Sequence, residues 1–147
     1  MQDLNDLYQE VILDHNRRPR NYGPLPDATH TAKGHNPLCG DQVTVWLELE
    51  GDVVKDVRFE GQGCAISRAS ASLMTVAVKG KTVAEVERLF SGFHGLVTGE
   101  VSAETAEGLP ARLQVFANVA QFPVRVKCAS LAWHTMKRAL DETTGER

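Results

Sequence analysis

Between Val43 and Phe59 the chain alternates apolar and polar residues, and at Gly61-Gln62-Gly63 that period gives way to a helical one. Val43, Val45, Leu47 and Leu49 interleave with Thr44, Trp46, Glu48 and Glu50, the period-two pattern of a strand with one packed face. Gly51-Asp52 supplies a tight turn, and Val53, Val57 and Phe59 continue as the return strand of a hairpin. A weaker extended stretch around Thr29–Lys33 offers a third strand. Beyond Gly63 the residues Ile66, Ala69, Leu73, Val76 and Ala77 predict a helix over about 64–78. Thr82-Val83-Ala84-Glu85 is a capping-box sequence that opens a second helix, with Val83, Val86, Phe90 and Phe93 on its inner face.

The remaining segments complete the pattern. Leu4, Leu7, Tyr8, Val11 and Ile12 predict an amphipathic helix over 3–15, followed by irregular chain around Pro19, Asn21, Gly23, Pro24 and Pro26. Residues 94–110, rich in Gly, Thr, Ser and Glu, read as a connection or insertion. Leu113, Phe116 and Ala117 suggest a short helix, and Pro123 stands where a first helical turn tolerates proline. The last helix then runs to about Leu140, with Asp141–Arg147 as a frayed tail. A hairpin-first sheet followed by a run of helices is an α+β arrangement, not alternating βαβ. The expected architecture is a small antiparallel sheet of about three strands with helices packed on one face.

Composition bounds the class. A chain of 147 residues that is 42% hydrophobic suits a single domain, 1–147, able to bury its own core. Its 16 Lys+Arg against 19 Asp+Glu give a net charge of −3 with no basic block, which argues against nucleic-acid binding. No apolar run approaches the roughly 18 residues needed to span a bilayer. Met1 to His15 lacks the basic-then-apolar layout of a signal peptide. The expectation is a soluble cytoplasmic protein with no membrane partner.

Three cysteines carry the candidate chemistry. Their odd number cannot close entirely into intramolecular disulfides, so Cys39, Cys64 and Cys128 are buried fillers, a nucleophile or metal ligands. Cys39 lies in Asn36-Pro37-Leu38-Cys39-Gly40-Asp41, just before the first strong strand. Cys64 closes Gly61-Gln62-Gly63-Cys64, and Cys128 falls in the opening turns of the last helix after Arg125 and Lys127. A helix N-terminus lowers a thiol's pKa through its partial positive charge and free N–H groups. Asp41, two residues after Cys39, can turn its carboxylate toward the same point from an irregular turn. Three sulfurs and one carboxylate oxygen make a tetrahedral set acceptable to zinc, and thiolates equally suit iron–sulfur clusters. On spacing alone the filler reading stays open, because free cysteine is often buried.

Other motifs are weaker. Gly61-x-Gly63-x-x-Ile66 lacks the third small residue and the second βα unit of a dinucleotide fingerprint. A cysteine hydrolase with Cys64 as nucleophile and His94 or His134 as base meets the minimal requirement, but nothing in the sequence orients either imidazole. His15 and His30 read as solvated, and Trp46 and Trp133 as packing residues. His35, four residues before Cys39, is the histidine nearest a candidate ligand, and it reads as either a turn residue or a site residue.

Three segments together carry a family resemblance. Asn36-Pro37-Leu38-Cys39-Gly40-Asp41, Gly61-Gln62-Gly63-Cys64-Ala65-Ile66-Ser67 with Ala69-Ser70-Ala71-Ser72, and Val124-Arg125-Val126-Lys127-Cys128-Ala129-Ser130-Leu131 resemble the iron–sulfur cluster scaffold family (IscU-like, NifU N-terminal type). Lys127 replaces the histidine that directly precedes the third cysteine in the general scaffold. Phe122-Pro123-Val124-Arg125-Val126-Lys127 replaces its Leu-Pro-Pro-Val-Lys chaperone motif, and about 94–112 looks like an insertion. These departures resemble the SufU branch. The resemblance implies zinc held by Cys39, Asp41, Cys64 and Cys128, with the three cysteines as candidate ligands of a transient [2Fe–2S] cluster in the alternative. It further implies a SufS-type cysteine desulfurase as partner, Cys39 as sulfur acceptor and downstream assembly proteins or apoproteins as recipients. Arg125 becomes a candidate persulfide or partner contact. The activity implied is sulfur transfer with a partner rather than stand-alone small-molecule catalysis.

Overall fold

The computed structural model describes residues 4–37, 40–100 and 109–141. Its elements are α1 (Leu4–Arg17), β1 (His30–Asn36), β2 (Asp41–Glu50), β3 (Val53–Gln62), α2 (Ala65–Val78), α3 (Val83–Thr98), α4 (Ala111–Gln114), a 3₁₀ segment (Val115–Gln121) and α5 (Pro123–Asp141). The strands form one antiparallel sheet in the order β1-β2-β3. Alternation dictates which side packs: Val43, Val45 and Leu47 of β2 and Val54, Val57 and Phe59 of β3 are buried. Helices α2 and α5 lie against that face, as the α+β reading expects.

Several elements are longer than their sequence patterns. Strand β1 extends to Asn36, which pairs with Asp41, so Asp41 is the first residue of β2 rather than part of a loop. Strand β3 likewise continues through Gly61 and Gln62. Helix α3 begins at the expected box, with Thr82 Oγ1 accepting from Glu85 N–H and Glu85 Oε1 accepting from Thr82 N–H. It ends on Gly99 in the left-handed region. His94–Thr98 is therefore helix and not connection, because Gly95, Leu96 and Val97 are buried. The rest of the expected insertion includes residues 101–108, which lie outside the described residues, as does the tail 142–147. Asp141 itself belongs to α5.

Packing between elements depends on small residues. Helix α2 is buried nearly all round, at Ser67, Ala69–Thr75, Ala77 and Val78, with Val76 the position left 52% exposed. Its serines and threonine meet their neighbours through hydrogen bonds: Ser70 Oγ donates to Ala129 O of α5, and Thr75 Oγ1 accepts from Asn21 Nδ2. Gly34 of β1 admits α5 closely, since a methyl group there would run into Thr135 Oγ1. On the opposite side of α5, Trp133 stacks on Phe93 with ring centroids 4.5 Å apart, and Phe116 meets Phe93 edge-on at 5.5 Å.

His15, expected to be solvated, is buried under α2. Its Nδ1 lies 2.7 Å from Ser72 Oγ, which also accepts the Arg20 N–H at 2.8 Å, leaving the hydroxyl proton for a neutral ring. Burial, reinforced by the Arg20 charge, pushes the imidazole pKa down to about 4 from an ordinary 6.5. The unfolded chain therefore takes up the proton first as pH falls from 6.5 to about 4. The stability tied to a neutral His15 is complete above that window and is lost progressively through it. Urea unfolding midpoints measured across the window should fall for the wild type by the equivalent of about 2–3 kcal/mol. His15→Asn should show a shallower acid limb; an identical slope would remove His15 from the account.

Candidate metal centre

Strand alternation aims Asp41 into the interior with Val43, Val45 and Leu47, and the residue is completely buried. A buried carboxylate is costly unless its oxygens are satisfied. Oδ1 accepts the backbone N–H of Cys64 at 2.9 Å, and Oδ2 lies 4.0 Å from Cys64 Sγ. Among the described residues no lysine or arginine forms an ion pair with it.

The thiols come from the two helices over the sheet. Cys64 is the N-cap of α2, and its Sγ accepts Ser67 N–H at 3.4 Å. There the sulfur takes the place of the usual capping oxygen at the helix start. Cys128 is 4% exposed on α5. It is the sixth residue of that helix, beyond the first turn where the N-terminal effect is concentrated. One ligand atom each from Asp41, Cys64 and Cys128 lies within 4.8 Å of the others. A tetrahedral zinc site puts sulfur at about 2.3 Å and oxygen at about 2.0–2.2 Å, so its ligands stand roughly 3.5–3.8 Å apart. The three donors fit that shape with a small inward adjustment, and their chemistry suits zinc or iron.

The other candidates are placed as follows. Cys39 lies outside the described residues; by sequence it belongs to the connection between Asn36 and Asp41. Gly40, the described residue next to it, has a φ of +71°. Arg125 is exposed with its guanidinium over the Phe122 ring at 4.7 Å. Exposed His35 lines a hollow of about 250 Å³ with Asn36, Lys127, Ser130, Leu131 and His134. His94 and His134 pack edge-to-face at 5.5 Å beside Phe90. Partial burial and then the neighbouring His94 lower the His134 pKa.

A sheet-and-helix frame that converges two thiols and a buried carboxylate on one point defines a metal-handling cysteine protein. Residues 7–146 match the NifU-like N terminal domain, and the chain belongs to that family. It is 36% identical to the zinc-dependent sulfurtransferase SufU of Bacillus subtilis, over 97% of this chain and 95% of that protein. It is 41% identical to the iron–sulfur cluster assembly scaffold protein IscU of Thermotoga maritima, over 91% of this chain and 92% of that one. The fold superposes on the crystal structure of FiSufU from Fervidobacterium islandicum with a TM-score of 0.83 at 35% identity, covering 92% of this chain and 97% of that one.

Asp41 offers the sharpest test of the centre. Asp41→Ala removes the buried oxygen donor and leaves the Cys64 N–H without its partner. Metal loss to a chelator should accelerate at least about ten-fold, while circular dichroism keeps the α+β signature. Wild-type loss kinetics would count against the carboxylate as a ligand.

Proposed function

We propose that this protein serves iron–sulfur cluster assembly as a zinc-dependent sulfur acceptor, taking sulfur from the persulfide of a SufS-type cysteine desulfurase. The carrying observation is the buried Asp41 carboxylate, unpaired with any described cation and facing two thiols. In this reading Asp41, Cys64 and Cys128 hold the ion together with Cys39. Zinc at such a site keeps coordinating sulfurs deprotonated and adds to folding stability.

The places of the candidate ligands in the chain support Cys39 as the acceptor. Asp41 is anchored in β2, Cys128 in α5 and Cys64 at the cap of α2. By sequence Cys39 falls between β1 and β2 rather than within either strand. Its thiolate attacks the terminal sulfur of the donor's persulfide, forming one S–S bond while the donor's S–S bond breaks. The donor leaves as a thiolate, Cys39 becomes the persulfide, and no net oxidation or reduction occurs. Arg125, exposed near the start of α5, is the cation this reading takes as a contact for an anionic persulfide or the donor's surface. Among the described residues no helix is long and apolar enough to cross a membrane.

The relatives named IscU support a second reading, in which the same side chains hold a transient [2Fe–2S] cluster as cargo. Purified protein distinguishes the two. Sulfur acceptance predicts one zinc per chain, a persulfide on Cys39 after incubation with desulfurase and cysteine, and loss of that adduct in Cys39→Ala. Visible iron–sulfur absorption with cluster handover, and no Cys39 persulfide, would establish the scaffold reading instead.

A further inference from the structure

Gly63 stands between β3 and the Cys64 cap with a φ of +146°, a conformation that favours glycine. A Cβ on this residue would overlap Asp41 Oδ1 and stand 2.8 Å from Asp41 Cγ and 3.0 Å from Asp41 Cα. The carboxylate thus fills the space that a side chain at position 63 would occupy. From that space Oδ1 reaches the Cys64 N–H at 2.9 Å. With Oδ1 engaged, Oδ2 is the oxygen left to face the sulfurs, 4.0 Å from Cys64 Sγ.

We infer that Gly63 is a positioning residue that seats the Asp41 carboxylate against the backbone, so that a single oxygen is presented to the metal. This rests on the proposal that Asp41 is a ligand. Any side chain at 63 would push the carboxylate off the Cys64 N–H and re-aim both oxygens, besides straining the left-handed backbone. Gly61 provides a contrast two residues earlier. A Cβ there would meet the backbone carbonyl of Gln42 instead, so its substitution disturbs strand pairing without touching the carboxylate.

The test uses the full chain loaded with cobalt(II), whose visible ligand-field bands report the donor set independently of sulfur transfer. Asp41→Ala and Gly63→Ala should both shift the bands and speed metal loss to a chelator by about ten-fold or more. The double variant should lose metal no faster than Asp41→Ala alone, because the Gly63 effect passes through the carboxylate. Gly61→Ala should lower the melting temperature while keeping the wild-type bands. If Gly63→Ala alone fails to fold, the double variant should recover a folded state with a cooperative melting transition, because removing the carboxylate frees the space of the new methyl group. A folded Gly63→Ala with wild-type bands and loss rate, additive losses in the double variant, or no such recovery would overturn the role of Gly63. If Asp41→Ala itself leaves the bands unchanged, the ligand assignment fails and takes this inference with it.

Discussion

One hydrogen bond organises the centre: Cys64 N–H to Asp41 Oδ1 at 2.9 Å. It joins the first residue of β2 to the cap of α2, elements 23 residues apart in the chain. An unpaired carboxylate in such a place would favour opening the structure or taking up a proton. The N–H satisfies one oxygen and leaves the other facing the Cys64 sulfur at 4.0 Å, with no ion-paired lysine or arginine among the described residues. That residual demand makes the interior corner receptive to a cation, and it exists because the strand's alternation points residue 41 inward. A fold that places charge there gains stability when an ion arrives, so metal binding and folding are coupled.

The helices make the arrangement possible because their contacting surfaces are small. Ser70 against the Ala129 carbonyl and Gly34 against Thr135 bring α2, α5 and β1 within backbone reach of one another. Larger residues would hold α2 and α5 apart and with them Cys64 and Cys128. The same closeness explains why α2 carries serines and threonine rather than leucines over much of its surface. Each buried hydroxyl needs a partner, and the neighbouring helices and the Arg20–Asn21 segment provide them.

Much of this is legible in the chain itself. The hairpin, the Thr82–Glu85 box and the switch of period at Gly61–Gly63 report local preferences, and local preferences place Cys64 at a helix start. What escaped is what depends on packing. His15 reads as polar, yet Ser72 and a covering helix let it be buried neutral. Val76 fits the apolar pattern of α2 but is left exposed because the helix is enclosed on its other sides. Gly95 and Thr98 suggest a loop, whereas buried Leu96 and Val97 carry α3 to Gly99. Asp41 looks like a turn residue because no residue-type pattern announces a carboxylate on a buried strand face. The three cysteine segments, by contrast, declared the family, because ligand chemistry permits few substitutions. Gly63 marks a change of period in the sequence, but its approach to Asp41 depends on the fold.

The rigidity of the described ligands bears on how such a centre can do chemistry. A metal-held thiolate is a weaker nucleophile than a free one, so sulfur transfer requires a ligand to leave without the site collapsing. Release of Cys128 would require motion within a helix whose contacts include the aromatic stack of Trp133 and Phe93. Release of Cys64 would free the helix cap, and release of Asp41 would leave a carboxylate buried with one oxygen unsatisfied. Each of these departures therefore carries a structural cost. The three described donors are thus held by the elements that carry them, β2, α2 and α5.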